Sequence, residues 1–275
     1  MIYEESAKIP KKIHYCWLSG EKMHADAKRC IKTWKKQMPD YELVLWDSNR
    51  FDINSHIFVK ESCKVKKWAF ASDYIRLYAL YTEGGIYLDT DVYVRKSFNE
   101  FLENGFFTGI EYYEKYAEQL AELLNEDGTL KNKTGEVVST HGIQIQAAVM
   151  GGVKGHPFLK SCMEWYDNRH FILEDGTYLD KIISPDIYAH IAAGYGFRYK
   201  NELQKLKFNM TIYPNTIFSE NLNHCEKDCY AIHLCSGAWR EKSFWLKIRE
   251  NFTLSLRRNN FLRALFGKRK IGVLS

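Results

Sequence analysis

The stretch WAFASDYIRLYALYTEGGIYLDTDVYVR, residues Trp68–Arg95, decides how the rest of the chain is read. It predicts a helix, a tight turn and a buried strand, Gly85-Ile86-Tyr87-Leu88, that ends in Asp89-Thr90-Asp91. Gly84-Gly85 allows a sharp helix stop and a close backbone approach. Two carboxylates at i and i+2, where a strand runs out into a loop, suit a hard divalent cation that also holds phosphate oxygens. On the preceding helix, Asp73 and Arg76 are one turn apart and share a face. Packing that helix beside the strand would bring a cation site, an anion-binding arginine and a further carboxylate to one point. Taken singly, a D-x-D is a common chance match, and an Asp-Arg pair at i,i+3 is usually a surface pair. The buried strand and the double glycine supply the context.

Composition bounds the alternatives. The 275 residues are ample for one large domain or two small ones. A net charge of +5, with basic residues spread out until the C-terminal region, argues against a nucleic-acid binder. The seven cysteines are odd in number and scattered, and Met1 opens no secretory signal. Free thiols in a reducing cytosol are the expectation. No apolar run is long enough to span a bilayer.

Outward from the central stretch, Ile13–Leu18 reads as a buried first strand, Ala25–Gln37 as an amphipathic helix and Tyr41–Asp47 as a second strand. Strand, helix, strand suggests a parallel βαβ unit. Phe51–Lys67 is helical or mixed. Downstream, Phe98–Leu102 is a short helical turn, Gly105–Ile110 a strand, and Tyr112–Glu136 a polar insertion or lid. Ile143–Met150 is apolar, Phe158–His170 a helix, and Tyr213–Phe218 a short strand and turn. Tyr230–Trp239 opens as a strand carrying His233. The expected domains are a catalytic unit over 1–242 and a basic, amphipathic helical tail over 243–275.

The block from Ala71 to Asp91 resembles the signature of glycosyltransferases with a DXD motif and a sugar-binding region. These are the family 32 type, related to capsular and lipopolysaccharide transferases and to the glucosylating domains of large clostridial toxins. Two further stretches resemble the same family, I-P-K-K-I-H-Y-C-W-L-S-G near the N-terminus and Y-A-I-H-L-C-S-G-A-W at 230–239. The resemblance implies an α/β fold of the GT-A kind, a Rossmann-like mixed sheet flanked by helices with helical additions. It implies a nucleotide-sugar donor, with UDP preferred to GDP, and Mn²⁺ or Mg²⁺ held by Asp91 and Asp89 and approached by His233. By the same implication, Cys16 and Trp17 face the base and Asp47 lies near the nucleotide. Asp73 and Arg76 hold the donor sugar, Asp89 also meets ribose or sugar hydroxyls, and Tyr87 lines the pocket. Ser236 and Trp239 reach the diphosphate or the glycosidic oxygen. Relatives carry an asparagine in the strand before Gly151-Gly152; here the nearest candidates are Gln144, Gln146 and Ala147. A T-G-P of the family is matched by Ile183-Ser184-Pro185.

The implied activity is retaining transfer to a glycan or lipid-linked saccharide in surface polysaccharide synthesis. The enzyme would be cytoplasmic, with its basic tail able to rest on the inner face of a membrane. A terminal helix packed on the core explains the tail equally well. Two other classes compete. A haloacid-dehalogenase-like phosphatase also joins an apolar strand to D-x-D, but needs its nucleophilic aspartate near the first strand. A catalytically inactive sugar-binding protein needs none of the acidic residues. The set His224, Cys225, Cys229, His233 and Cys235 invites a zinc reading, but its spacing does not form paired C-x-x-C ligands.

Overall fold

The computed structural model describes residues 3–4, 6–131, 135–219 and 225–235. Its frame is a seven-stranded sheet of order β2-β1-β3-β6-β5-β8-β7. The strands are β1 (Lys12–Cys16), β2 (Glu42–Trp46), β3 (Gly85–Leu88), β5 (Phe106–Tyr112), β6 (Ile143–Gly152), β7 (Gln204–Leu206) and β8 (Met210–Tyr213). The expected parallel unit is present, since β1 pairs in parallel with both β2 and β3. The sheet as a whole is mixed, because β6 runs antiparallel between β3 and β5. Every residue of β6 is buried, as expected for a central strand covered on both faces.

Two cores cover those faces. One takes the helices α2 (Ile57–Lys64), α3 (Trp68–Glu83), α5 (Pro157–Tyr166) and α6 (Ser184–Ala193). The other takes α1 (Ala25–Gln37) and a second sheet of order β4-β10-β9, made from Val92–Val94, Ala231–His233 and Phe218–Ser219. A short helix, α4 (Glu114–Leu120), lies in the segment after β5.

The α/β, Rossmann-like mixed sheet with flanking helices is therefore the architecture read from the sequence. Several boundaries differ. β1 stops at Cys16, short of Leu18, and β5 runs on to Tyr112. α5 ends at Tyr166, short of His170, because Asp167 turns the chain extended and Asn168 takes a left-handed φ of 62°. The short strands β4 and β7 were not anticipated. The proposed tail, 243–275, and the positions Ser236 and Trp239 lie outside the described residues.

Gly85 shows why the double glycine is required. Its φ is +124°, and a Cβ there would sit 2.9 Å from His14 Nε2 and 3.0 Å from the Lys12 carbonyl oxygen. The strand can lie against β1 only without a side chain at this point.

Candidate active site

The parallel strands β1, β2, β3, β5 and β8 all end at one edge of the sheet. Such an edge is where open α/β sheets place ligands. Asp89-Thr90-Asp91 lies there as a tight turn leading from β3 to β4, with the Val92 N–H donating to the Asp89 carbonyl at 2.9 Å. The turn transfers the chain from the large sheet to the small one.

That transfer explains where His233 goes. β10 pairs antiparallel with β4, and the register sets His233 opposite Val92. The Leu234 N–H donates to the Asp91 carbonyl at 3.1 Å. His233 Nε2 is consequently 3.2 Å from Asp91 Oδ1. Ligand atoms of Asp89, Asp91 and His233 all lie within 4.8 Å of one another, and the three side chains are half-buried. Burial works against a charged imidazole at His233, but the Asp91 carboxylate and Cys235 outweigh it and hold its pKa well above the ordinary value.

Two carboxylate oxygens and one imidazole nitrogen make a donor set that Mn²⁺ or Mg²⁺ accepts. Three protein ligands leave coordination positions for phosphate oxygens and water. The residues present fit the cation implied by the resemblance.

Beneath this cluster lies a buried ionic floor. Arg76, 4% exposed, places Nη2 3.0 Å from Asp73 Oδ1 and 3.5 Å from Asp89 Oδ1. Its Nη1 donates to the Ala147 carbonyl at 2.9 Å, and its Nε and Nη2 reach the Ser72 carbonyl and hydroxyl. The Tyr87 hydroxyl donates to Asp89 Oδ1 at 2.9 Å, and the Tyr87 ring lies 4.9 Å from the guanidinium carbon. Ser184, at the start of α6, donates to Asp73 Oδ1 at 2.9 Å. Burial raises the Asp73 carboxyl to about 6, with Arg76 and Ser184 offsetting part of that effect. Cys16 faces the same floor from β1, and burial pushes its thiol up to about 12.

The Arg76 donors are engaged by the protein itself, where they hold Asp89 and Asp73 in place. Trp17, at the end of β1, lies at the same edge as the DXD turn and donates from Nε1 to the Glu21 carbonyl at 2.7 Å. Asp47 at the end of β2 is occupied locally, accepting from the Asn49 and Arg50 N–H groups.

Of the three positions considered for sugar contact, Ala147 supplies its carbonyl to Arg76. Gln144 donates to Asp186 Oδ1, and Gln146 donates to the Phe218 carbonyl at 3.2 Å. The side-chain oxygens of both glutamines are buried without a partner among the described residues. Of the zinc reading, His224 lies outside the described residues, Cys235 Sγ is 3.5 Å from His233 Nδ1, and the other two cysteines are engaged elsewhere. Cys225 accepts from Arg95 Nη1 and Cys229 donates to the Ala231 carbonyl.

Sequence reasoning missed Ser184 and Trp34. The Trp34 indole N–H crosses from α1 to donate to the Val92 carbonyl at 2.7 Å, directly after the DXD turn. The signal for Trp34 was its place on the buried stripe Ala27, Cys30, Trp34. Ser184 stands in the I-S-P already compared with the family's T-G-P.

Residues 24–107 match the family model described as a glycosyltransferase sugar-binding region containing a DXD motif. That match covers Asp73, Arg76, Tyr87, Asp89 and Asp91, so the resemblance read from the sequence rests on the residues that converge here. Among curated proteins, the chain is 31% identical over 162 residues to inositol phosphoceramide mannosyltransferase 3 of Schizosaccharomyces pombe, covering 56% of this chain and 36% of that protein. It is 27% identical over 115 residues to subversion of eukaryotic traffic protein A of Legionella pneumophila, covering 32% of this chain and 18% of that one. The chain thus spans well under half the length of these relatives. Among solved structures, it is similar to the PaToxG glycosyltransferase, with a TM-score of 0.47 at 15% identity over 68% of this chain and 70% of that one. It is also similar to the galactosyltransferase LgtC solved with donor and acceptor sugar analogs, with a TM-score of 0.42 at 14% identity over 82% and 87%.

Proposed function

We propose that this chain is a metal-dependent, retaining glycosyltransferase. It moves a hexosyl group from a UDP-sugar to a glycan or lipid-linked saccharide of a surface polysaccharide. The observation that carries the reading is the convergence of Asp89, Asp91 and His233 over the Arg76–Asp73 floor at the carboxyl edge of the sheet.

Breaking a sugar–diphosphate bond puts negative charge on the leaving phosphate, and a bound Mn²⁺ or Mg²⁺ supplies Lewis-acid neutralisation there. Asp89, Asp91 and His233 hold that cation. Tyr87 and Arg76 fix the Asp89 carboxylate from behind, so its orientation is set before the donor arrives. Cys16 and Trp17, from the adjoining strand β1, border the place for the base. Asp73 accepts sugar hydroxyls from the floor. Ser236 and Trp239 follow His233 by a few residues in sequence and are assigned to the diphosphate.

The phosphatase alternative asks for an aspartate at the end of the first strand. β1 ends on Cys16, and the first acidic residue after it is Glu21. Among the described residues no helix is long and apolar enough to cross a membrane. Attachment to the inner membrane face is assigned to the basic tail.

Screening nucleotide sugars for Mn²⁺-dependent nucleotide release tests the reading, with the product anomer read by NMR. Release from a UDP-sugar that EDTA abolishes is expected. Tight UDP binding with no turnover of any donor would instead favour the inactive sugar-binding protein.

A further inference from the structure

Beyond the DXD cluster, the same edge of the sheet carries an exposed aromatic platform. Tyr113 stacks on His141 at 5.6 Å with 27° between rings, and Tyr116 lies 4.4 Å from the same imidazole. Tyr116 is 39% exposed, and the His141 side chain is exposed as well. Tyr113 is half-buried, and the two rings in contact beside and beyond it, open to water, would normally be buried as well.

The fold holds them out. Thr140, 1% exposed, donates its backbone N–H to the buried Asp186 carboxylate at 2.8 Å, and Gln144 donates to the same oxygen. His141 is therefore pinned between two anchored neighbours. Gly142 takes φ +118°, and a Cβ there would meet Ala117 N at 2.5 Å and the Tyr116 carbonyl carbon at 2.6 Å. The backbone carrying Tyr116 is pressed against the start of β6, which fixes the rings relative to the strand.

That strand leads to the DXD turn. Asp89 N–H donates to the Ala148 carbonyl, and β6 begins at Ile143. At about 3.3 Å per residue, the platform stands roughly 17 Å beyond Asp89 in the direction of the strand. That span holds several sugar units and exceeds the reach of a donor sugar.

We infer that Tyr113, Tyr116 and His141 form a subsite for a distal unit of a neutral, extended saccharide acceptor. The step from aromatic platform to acceptor rests on the transferase reading. Ring faces pack against the C–H faces of pyranoses, whose hydroxyls then meet the carboxylates around them. Residues 111–136 hold seven acidic and three basic side chains, so this segment repels uronic, sulfated or phosphorylated chains. An anionic saccharide or a phosphate-bearing surface is the wrong partner for this face.

The test uses the full chain and neutral hexasaccharides of glucose, galactose, mannose and N-acetylglucosamine, with the matching monosaccharides and oligogalacturonate for comparison. Ring-proton NMR of the unaltered protein should show His141 shifting with at least one neutral hexasaccharide and with no monosaccharide. Tyr116→Ala/His141→Ala should weaken that binding at least about tenfold, the loss expected for two ring contacts. Tyr116→Phe, which keeps the ring, should retain it. Absence of any His141 shift across the panel overturns the subsite, as does unchanged affinity in the double variant or tighter binding of oligogalacturonate. UDP titration with Mn²⁺ on the same proteins separates the two readings. Failure of the unaltered protein to bind UDP counts against the transferase reading, whereas intact UDP binding with no saccharide response removes the subsite alone.

Discussion

Asp91 and His233 lie 3.2 Å apart although 142 positions separate them in sequence, a closeness set by the antiparallel pairing of β10 with β4. Replacing Asp91 with asparagine removes a ligand charge at a turn outside the core. Mn²⁺ affinity, followed by titration calorimetry, should fall beyond the roughly 10–100-fold typical of an outer-shell change. Turnover should go with it while the melting curve stays near that of the unaltered protein; full turnover in EDTA would remove the cation role. Tyr87→Phe is the outer-shell counterpart, since it deletes only the hydroxyl that holds Asp89 Oδ1. A loss of Mn²⁺ affinity within that 10–100-fold range is expected, and no change would show that Asp89 needs no support. At this scale Asp73, Arg76, Asp89 and Asp91 were legible because they stand close in one motif. What Arg76 does was not. Its bonds to Ala147 and the placement of Asp89 depend on β6, whose approach no local pattern encodes.

At the scale of elements, α1 and β3 were read to the residue. The helix shows its buried stripe at helical spacing, and the strand is bracketed by Gly85 and the acidic turn. β10 was legible only in part and β4 not at all, because strands of three residues show no alternation and their pairing joins distant segments. Gly85→Ala tests the turn: a Cβ against His14 and a φ of +124° should cost about 1–3 kcal/mol in urea unfolding. Unchanged stability would mean that β1 and β3 can separate freely. The start of α5 carries an acid-sensitive device. His156 Nδ1 accepts from the Phe158 N–H, and its Nε2 faces the Phe208 carbonyl at 3.0 Å, so the ring is neutral with the proton on Nε2. Burial lowers its pKa from 6.5 to about 4, with the Phe208 bond offsetting part. Between those values the unfolded chain binds a proton that the folded chain refuses, so stability falls as pH drops from 6.5 toward 4. The full effect is about 3 kcal/mol. His14 is shifted in the same direction by its burial. His156→Asn, which keeps a capping side chain, should flatten the acid limb of a stability–pH curve, and an identical slope would assign that limb to other groups.

Across the whole molecule, charge is divided unevenly. Residues 236–275 hold ten of the 39 Lys and Arg and two of the 34 Asp and Glu, which leaves 29 basic against 32 acidic groups in the remainder. The net +5 thus belongs to the C-terminal 40 residues, and the unit bearing the DXD site is itself mildly acidic. This asymmetry was readable from composition by segment, because charge adds along the chain without regard to folding. Under the proposed function, the mildly acidic unit would serve a neutral saccharide and the basic tail an anionic membrane surface. Each Lys or Arg near such a surface contributes about 1 kcal/mol, and the attraction decays within a Debye length of about 8 Å at physiological salt. The 275-residue chain should therefore sediment with phosphatidylserine-rich vesicles at low salt and be released as salt rises. Reversing Arg257, Arg258 and Arg263 to glutamate should weaken that attachment by several kcal/mol while leaving UDP and Mn²⁺ binding in place. Vesicle binding that survives both high salt and the triple reversal would assign the attachment to apolar insertion, and an unaltered protein that ignores anionic vesicles at low salt would remove the membrane role of the tail.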